Sequence, residues 1–176
     1  EIAENLVKGL TNGTQPILGF NYGAGEYERV KKAIKFMSAA TISFTVVCWI
    51  LISIFPEFFI RIFNQEPDLV AAAVPSIRVY FFGFCFMSLQ FAGQASFVGL
   101  GKARQATFFS IFRKVIIVVP LTLLLPYVGG LGAMGVFLAE PVSNLIGGGA
   151  CYGTMLYMIW PELNGKKHKA KDPLKV

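Results

Sequence analysis

Four long runs contain no Asp, Glu, Lys or Arg at all: residues 36–56, 79–101, 115–139 and 141–161. Each is long enough to cross a hydrocarbon layer, which takes about 20 helical residues. A chain built this way cannot fold around an ordinary water-facing surface. Hydrophobic residues make up 55% of it and charged residues 15%, which removes soluble enzymes and nucleic-acid readers from consideration. The net charge of +6 is no nucleic-acid signature, because the basic residues gather at the borders of the runs and form no continuous patch.

The runs resolve into five expected spans, 3–22, 32–55, 69–98, 103–125 and 131–160, with a short interfacial helix at 57–63. The expected fold is all-α: a polytopic transmembrane bundle over residues 1–161, followed by a basic tail, 162–176. The link at 127–130 is short, so the fourth and fifth spans should form an antiparallel hairpin. Lysine and arginine mark one side of the bundle. Arg29, Lys31, Lys32 and Lys35 lie in one link and Lys102 and Arg104 in another, while Lys166, Lys167, Lys169, Lys171 and Lys175 fill the tail. The opposite links hold only Arg61 and Arg78, so the tail is expected to be cytoplasmic. His168 falls in that tail and should be solvated. Cys48, Cys85 and Cys151 all lie inside apolar spans and read as free thiols. The chain lacks an initiator Met and opens almost directly into a span, so it is expected to be the C-terminal piece of a longer protein.

Function, in a membrane bundle, is sought among the polar residues that lipid cannot satisfy. In the first span Asn5, Lys8, Asn12, Gln15, Gly19 and Tyr22 recur at steps of three and four and therefore share a helical face. Such a stripe either bonds to other helices or walls an aqueous cavity; Lys8 also has the option of snorkelling to the interface. In the third span Gly83, Met87, Gln90, Gln94 and Gly101 share a face, and the two amides suit a polar lumen. The last span carries Glu140, Ser143, Asn144, Gly147 and Cys151. Across the hairpin, Arg113 and Lys114 follow Thr107 and Ser110. Arg113 and Glu140 are offset by about four residues, roughly 6 Å along the axis, within reach of an Arg side chain. Two readings stay open for Glu140: half of an ordering pair with Arg113 or Lys114, or a protonation or cation site. Pro16, Pro75, Pro120 and Pro141 permit bends. Most of the 17 Phe are expected to face lipid. The spacing offers no nucleophile with its base, no phosphate-cradling loop and no metal cluster, so the chain does not read as an enzyme.

Several motifs resemble those of the multidrug and toxic compound extrusion (MATE) family. The segment Gly13-x-Gln15-Pro16-Ile17-x-Gly19-Phe20-Asn21-Tyr22-Gly23-Ala24-Gly25, followed by Arg29-Val30, is similar to the second span of that family's C-terminal lobe and the cytoplasmic loop after it. Gln94-Ala95, the run 99–102 and Arg113-Lys114 resemble the region joining its tenth and eleventh helices. Gly132-x-x-Gly135-Val136-Phe137-Leu138-Ala139-Glu140-Pro141-Val142-Ser143-Asn144 resembles the start of the last helix. The similarity runs over residues 5–160.

The resemblance implies the last five of twelve helices, in a protein of two pseudo-symmetric lobes around a cavity open alternately to either side. It implies export of drugs and organic cations across the plasma membrane in exchange for H⁺ or Na⁺, with no resident cofactor. The implied partners are amphipathic or cationic small molecules, membrane lipid and the missing N-terminal lobe, and no nucleic acid. Candidate cavity or ion-coupling residues are Asn12, Gln15, Asn21, Gln90, Gln94, Arg113, Lys114, Glu140, Ser143 and Asn144. One departure stands out: some members carry an acid in the tenth helix, and residues 83–101 contain none. The alternatives are a lipid-linked oligosaccharide flippase, which would want several cations along its cavity, and a scaffold or accessory subunit that transports nothing.

Overall fold

The computed structural model describes residues 2–63, 65–127 and 132–171, and every described element is helical. In chain order these are α1 (Ile2–Gly23), α2 (Tyr27–Ile54), α3 (Pro56–Arg61), α4 (Pro67–Phe82), α5 (Phe84–Gly99) and α6 (Ala103–Ile111). A π-helical stretch, Phe112–Val118, continues α6 into α7 (Val119–Leu124), and α8 (Ala133–Lys171) closes the order. Three of the resulting rods, Tyr27–Ile54, Pro67–Gly99 and Ala103–Leu124, are long and apolar enough to cross a membrane. The all-α bundle expected from the sequence is the fold observed, with α1 and α8 as its two more polar rods. The expected tail at 162–176 is seen only as the continuation of α8 to Lys171; the side chains of its lysines and of His168 lie outside what is described. So does most of the link expected at 127–130.

Local chemistry sets the joints. α1 turns into α2 at Gly25, whose φ of 76° is open to glycine at little cost. Gly101, with φ of 74°, does the same between α5 and α6, and there the Lys102 N–H returns to the Phe97 carbonyl at 2.7 Å. Pro56 and Pro67 open α3 and α4 at positions where a missing N–H costs nothing. α3 overlaps the stretch expected as an interfacial helix, 57–63, starting one residue earlier and ending two residues sooner.

α5 is the central rod, with α8, α2 and α1 all packed against it. Helices in lipid gain no hydrophobic drive from meeting one another, so their approach depends on small residues. The α5–α8 contact is built that way. A Cβ placed on Gly148 would sit 2.4 Å from the Phe86 carbonyl oxygen, and one on Gly83 would sit 2.4 Å from the Pro141 Cα. Gly93 leaves only 3.0 Å for a Cβ before Cys151 Sγ. Beside the seam, Leu18, Val30, Ile34, Phe97, Met155, Ile159 and Leu163 form a core sealed from solvent. Large apolar side chains cover the outside, among them Phe20, Phe36, Ile54, Phe63, Phe108 and Leu123. That is the surface a membrane bundle turns to acyl chains.

Candidate functional site

The polar stripe of α1 has three fates along its length. Asn5 is exposed at one end. At the other, Gly19 packs against the Gly99 carbonyl and the Tyr22 hydroxyl donates to Glu162 of α8 at 2.6 Å. Between them, Lys8, Thr11, Asn12 and Gln15 form one wall of an open groove of about 340 Å³. α5 contributes Phe91, Gln94, Ala95 and Val98 to it, and α6 contributes Ala106, Thr107 and Ser110.

The groove is unevenly satisfied. The Thr11 hydroxyl donates to the Val7 carbonyl of its own helix at 3.0 Å, and Gln15 Nε2 donates to Asn12 Oδ1 at 2.9 Å. Lys8 Nζ lies 2.7 Å from Glu4 and 5.5 Å from the centre of the Phe91 ring. Gln94 Nε2, by contrast, is buried and has no hydrogen-bond partner. A buried donor left unmatched costs about 1–3 kcal/mol, so an amide held this way at a groove wall is poised for a ligand or water.

A second polar cluster joins the π-helical stretch to α8. Arg113 Nη1 donates to Glu140 Oε1 at 3.1 Å and also to Asn144 Oδ1. Arg113 is 8% exposed and Asn144 is 2% exposed. Gly147 makes the crossing possible: a Cβ there would sit 2.7 Å from the Arg113 Cγ. Ser143 donates to the Glu140 carbonyl at 2.8 Å, a bond within its own helix. The guanidinium Nε is left without a partner. Arg113 stands in the π-helical stretch, and that stretch packs against α8.

The candidates therefore separate. Asn12, Gln15 and Gln94 line the groove. Arg113, Glu140, Ser143 and Asn144 belong to the α8 cluster, where Arg113, Ser143 and Asn144 are buried against protein and Glu140 is half-buried. Gln90 is buried with its Oε1 unpartnered, outside the groove lining. Asn21 lies away from the groove, its Nδ2 donating to the Ile17 carbonyl at 2.8 Å. Lys114 is exposed and forms no ion pair among the described residues, which leaves Arg113 as the partner of Glu140. Thr107, Ser110 and Phe91 are groove residues that the amide and charge pattern alone did not single out, although the three-residue step from Thr107 to Ser110 carried the signal. The cysteines are free, with Cys151 fully buried.

A third cluster ties α8 to the basic end of the bundle. Glu162 receives Lys102 as well as Tyr22, and Lys31 reaches Asn164 and, at 3.2 Å, Glu28. Lys35 sits 5.6 Å over the Trp160 ring.

The family model that matches this chain is MatE, over residues 5–124, more than half its length. The chain belongs to the MatE family. Members of this family are transporters rather than enzymes. Among curated proteins, the chain is 23% identical over 147 residues to the FAD transporter of Shewanella oneidensis (strain MR-1), covering 84% of this chain and 32% of that one. Among solved structures, it is 28% identical to the MATE multidrug transporter DinF-BH, solved as a ligand complex, with a TM-score of 0.77, covering 86% of this chain and 33% of that one. A MATE crystal structure in the straight conformation matches at a TM-score of 0.86 and 16% identity, over 93% of this chain and 36% of that one. The chain spans about a third of the length of these relatives.

Proposed function

We propose that this MatE chain forms most of the C-terminal lobe of a secondary active exporter in the plasma membrane. Its α1–α5–α6 groove is one wall of the transport cavity. The N-terminal lobe of the same polypeptide supplies the other wall, and the two rock about the bound cargo, carrying an amphipathic small molecule (a drug or organic cation, on the family resemblance) out against H⁺ or Na⁺. The basic end of the bundle and the tail face the cytoplasm.

The observation that carries this reading is the groove itself. It gathers Asn12, Gln15, Gln94, Thr107 and Ser110 between apolar rods and holds an unmatched donor at Gln94. A scaffold would have bonded these groups to neighbouring helices. A flippase holding pyrophosphate would want several cations there, and Lys8 is the one among the described lining residues.

Glu140 serves the fold in this reading. A carboxylate already engaged by a guanidinium at 3.1 Å suits an ordering pair better than a coupling site. The test is ion-driven drug efflux by the full-length protein in membrane vesicles. Gln94→Leu is expected to lower transport about tenfold, the equivalent of one contact of ~1.4 kcal/mol, with the folded amount unchanged. Glu140→Gln is expected to reduce the folded amount while the surviving protein keeps its ion dependence. Full transport by Gln94→Leu removes the groove from the pathway; loss of ion dependence in folded Glu140→Gln makes that acid the coupling site.

A further inference from the structure

The face of α1 turned away from the cavity wall borders a groove of its own. Helical residues advance by about 100° each, so Leu10, Gly13 and Ile17 stand opposite Lys8, Asn12 and Gln15. Together with Gly9 they form one side of an outer groove of about 550 Å³, and Lys32 and Phe36 of α2 stand on the other. Both sides belong to this chain. Leu10, Ile17 and Phe36 are 38%, 52% and 71% exposed, so the groove opens where a membrane bundle meets acyl chains. Its floor is bare. Gly83, Gly93 and Gly148 are pressed by a neighbouring helix, whereas nothing lies within 4 Å of a Cβ added to Gly9 or Gly13.

One end of the groove is charged. Lys32 is exposed and forms no ion pair among the described residues. Glu28, the acid one turn before it, is engaged by Lys31 at 3.2 Å. Arg29, also within a turn, comes only within 3.9 Å of Glu26. Residues 26–36 carry Arg29, Lys31, Lys32 and Lys35 against Glu26 and Glu28, so the positive sign survives the local pairs. Lys32 stands five residues into α2 and Ile17 six residues before the end of α1, which puts both at one level near the basic end. Gly9 lies eight residues deeper than Ile17, about 12 Å along the axis. That depth is close to one leaflet of a hydrocarbon core about 30 Å thick. A cation at the rim and an apolar channel one leaflet deep match the head and acyl chain of a phospholipid. An apolar helix seated there would leave the ammonium unanswered.

We propose that the α1–α2 groove binds an anionic phospholipid of the leaflet at the basic end of the bundle. Lys32 meets the phosphate, with Arg29 beside it, and one acyl chain runs over Gly13 toward Gly9. Basic pockets between spanning helices hold anionic head groups in the same way.

The test titrates phosphatidylglycerol and phosphatidylcholine separately onto the delipidated full-length protein in detergent and counts bound lipid by native mass spectrometry. Lipid retention rather than transport is the readout, so the outcome is independent of the exporter reading. Phosphatidylglycerol is expected to bind more tightly. Lys32→Gln should weaken it about fivefold, Lys32→Arg should retain it, and Arg61→Gln, at the opposite end, should leave it unchanged. Gly13→Leu, which fills the floor, should weaken both lipids in protein that still elutes as a single folded peak. Equal binding of the two lipids, or phosphatidylglycerol binding unaltered by Lys32→Gln and Gly13→Leu, overturns the proposal. If Gly13→Leu abolishes the folded peak, another helix of the full-length chain fills the groove; if it turns a dimer into monomers, a second copy does. Either of those results also overturns the lipid site.

Discussion

Two polar stripes, one on α1 and one on α8, look alike as sequence and end differently in the fold. Both place amides and a charged residue at three- and four-residue steps. On α8, Glu140 and Asn144 both accept from Arg113, and Gly147 and Gly148 admit the Arg113 side chain and the Phe86 carbonyl closer than any Cβ would allow. On α1, Lys8, Asn12 and Gln15 border a groove of about 340 Å³ and leave Gln94 opposite without a partner. The difference lies less in the polar residues than in what accompanies them. On α8, Gly147 is pressed against the Arg113 side chain and Gly148 against the Phe86 carbonyl, whereas the part of the α1 stripe that borders the groove contains no glycine. Polarity with close glycine contact makes a seam; polarity without it makes a cavity wall.

That contrast can be broken most severely at the seam. Gly148→Leu should prevent assembly, because even a Cβ would lie 2.4 Å from a backbone oxygen that has no room to retreat. The measurement is the monodisperse peak of the full-length protein by fluorescence-detected size exclusion, which should vanish. Next in size is Glu140→Gln, which leaves Arg113 buried with a neutral partner and should cost about 1.5–3 kcal/mol, read as a lowered melting temperature in detergent. Arg113→Met combined with Glu140→Leu should recover part of that loss, since buried pairs are often replaceable by apolar side chains of similar volume. A double variant less stable than Glu140→Gln would show that the pair does more than satisfy itself. Gln94→Leu should leave the stability within about 0.5 kcal/mol of the parent, or raise it by removing an unmatched buried donor, read as an unchanged or higher melting temperature, while transport falls. Smallest of all, Gly13→Ala should be close to neutral in stability, and a marked loss there would place another helix against the open face of α1.

Much of this was readable from the residues. Rod boundaries followed from hydropathy and from glycine and proline punctuation: the expected 32–55 became Tyr27–Ile54, and 103–125 became Ala103–Leu124. The Arg113–Glu140 pair followed from hairpin arithmetic, because a short link fixes how far along each rod two residues stand. Which neighbour of a charged pair turns inward was not readable. Arg113 and Lys114 are adjacent and both basic, and it is Arg113, at the start of the π-helical stretch, that turns onto α8. Tyr22 was grouped with the α1 stripe by periodicity, yet it serves the basic end through Glu162, a contact across 140 residues that no local pattern encodes. The sealing of the α8 stripe was hidden for the same reason: polar spacing shows that a face must be satisfied and not by what.

The most direct measurement is the reactivity of single cysteines toward a water-soluble, membrane-impermeant thiol reagent in the full-length protein, with Cys48, Cys85 and Cys151 replaced. Cysteines at Gln15 and Gln94 are expected to react quickly and to be shielded by transported substrate, while cysteines at Ser143 and Asn144 are expected to stay unreacted in the folded protein. Protection of Gln15 and Gln94, or equal reactivity at all four positions, would contradict the assignment of the α1–α5–α6 groove as the water-filled half of a transport path.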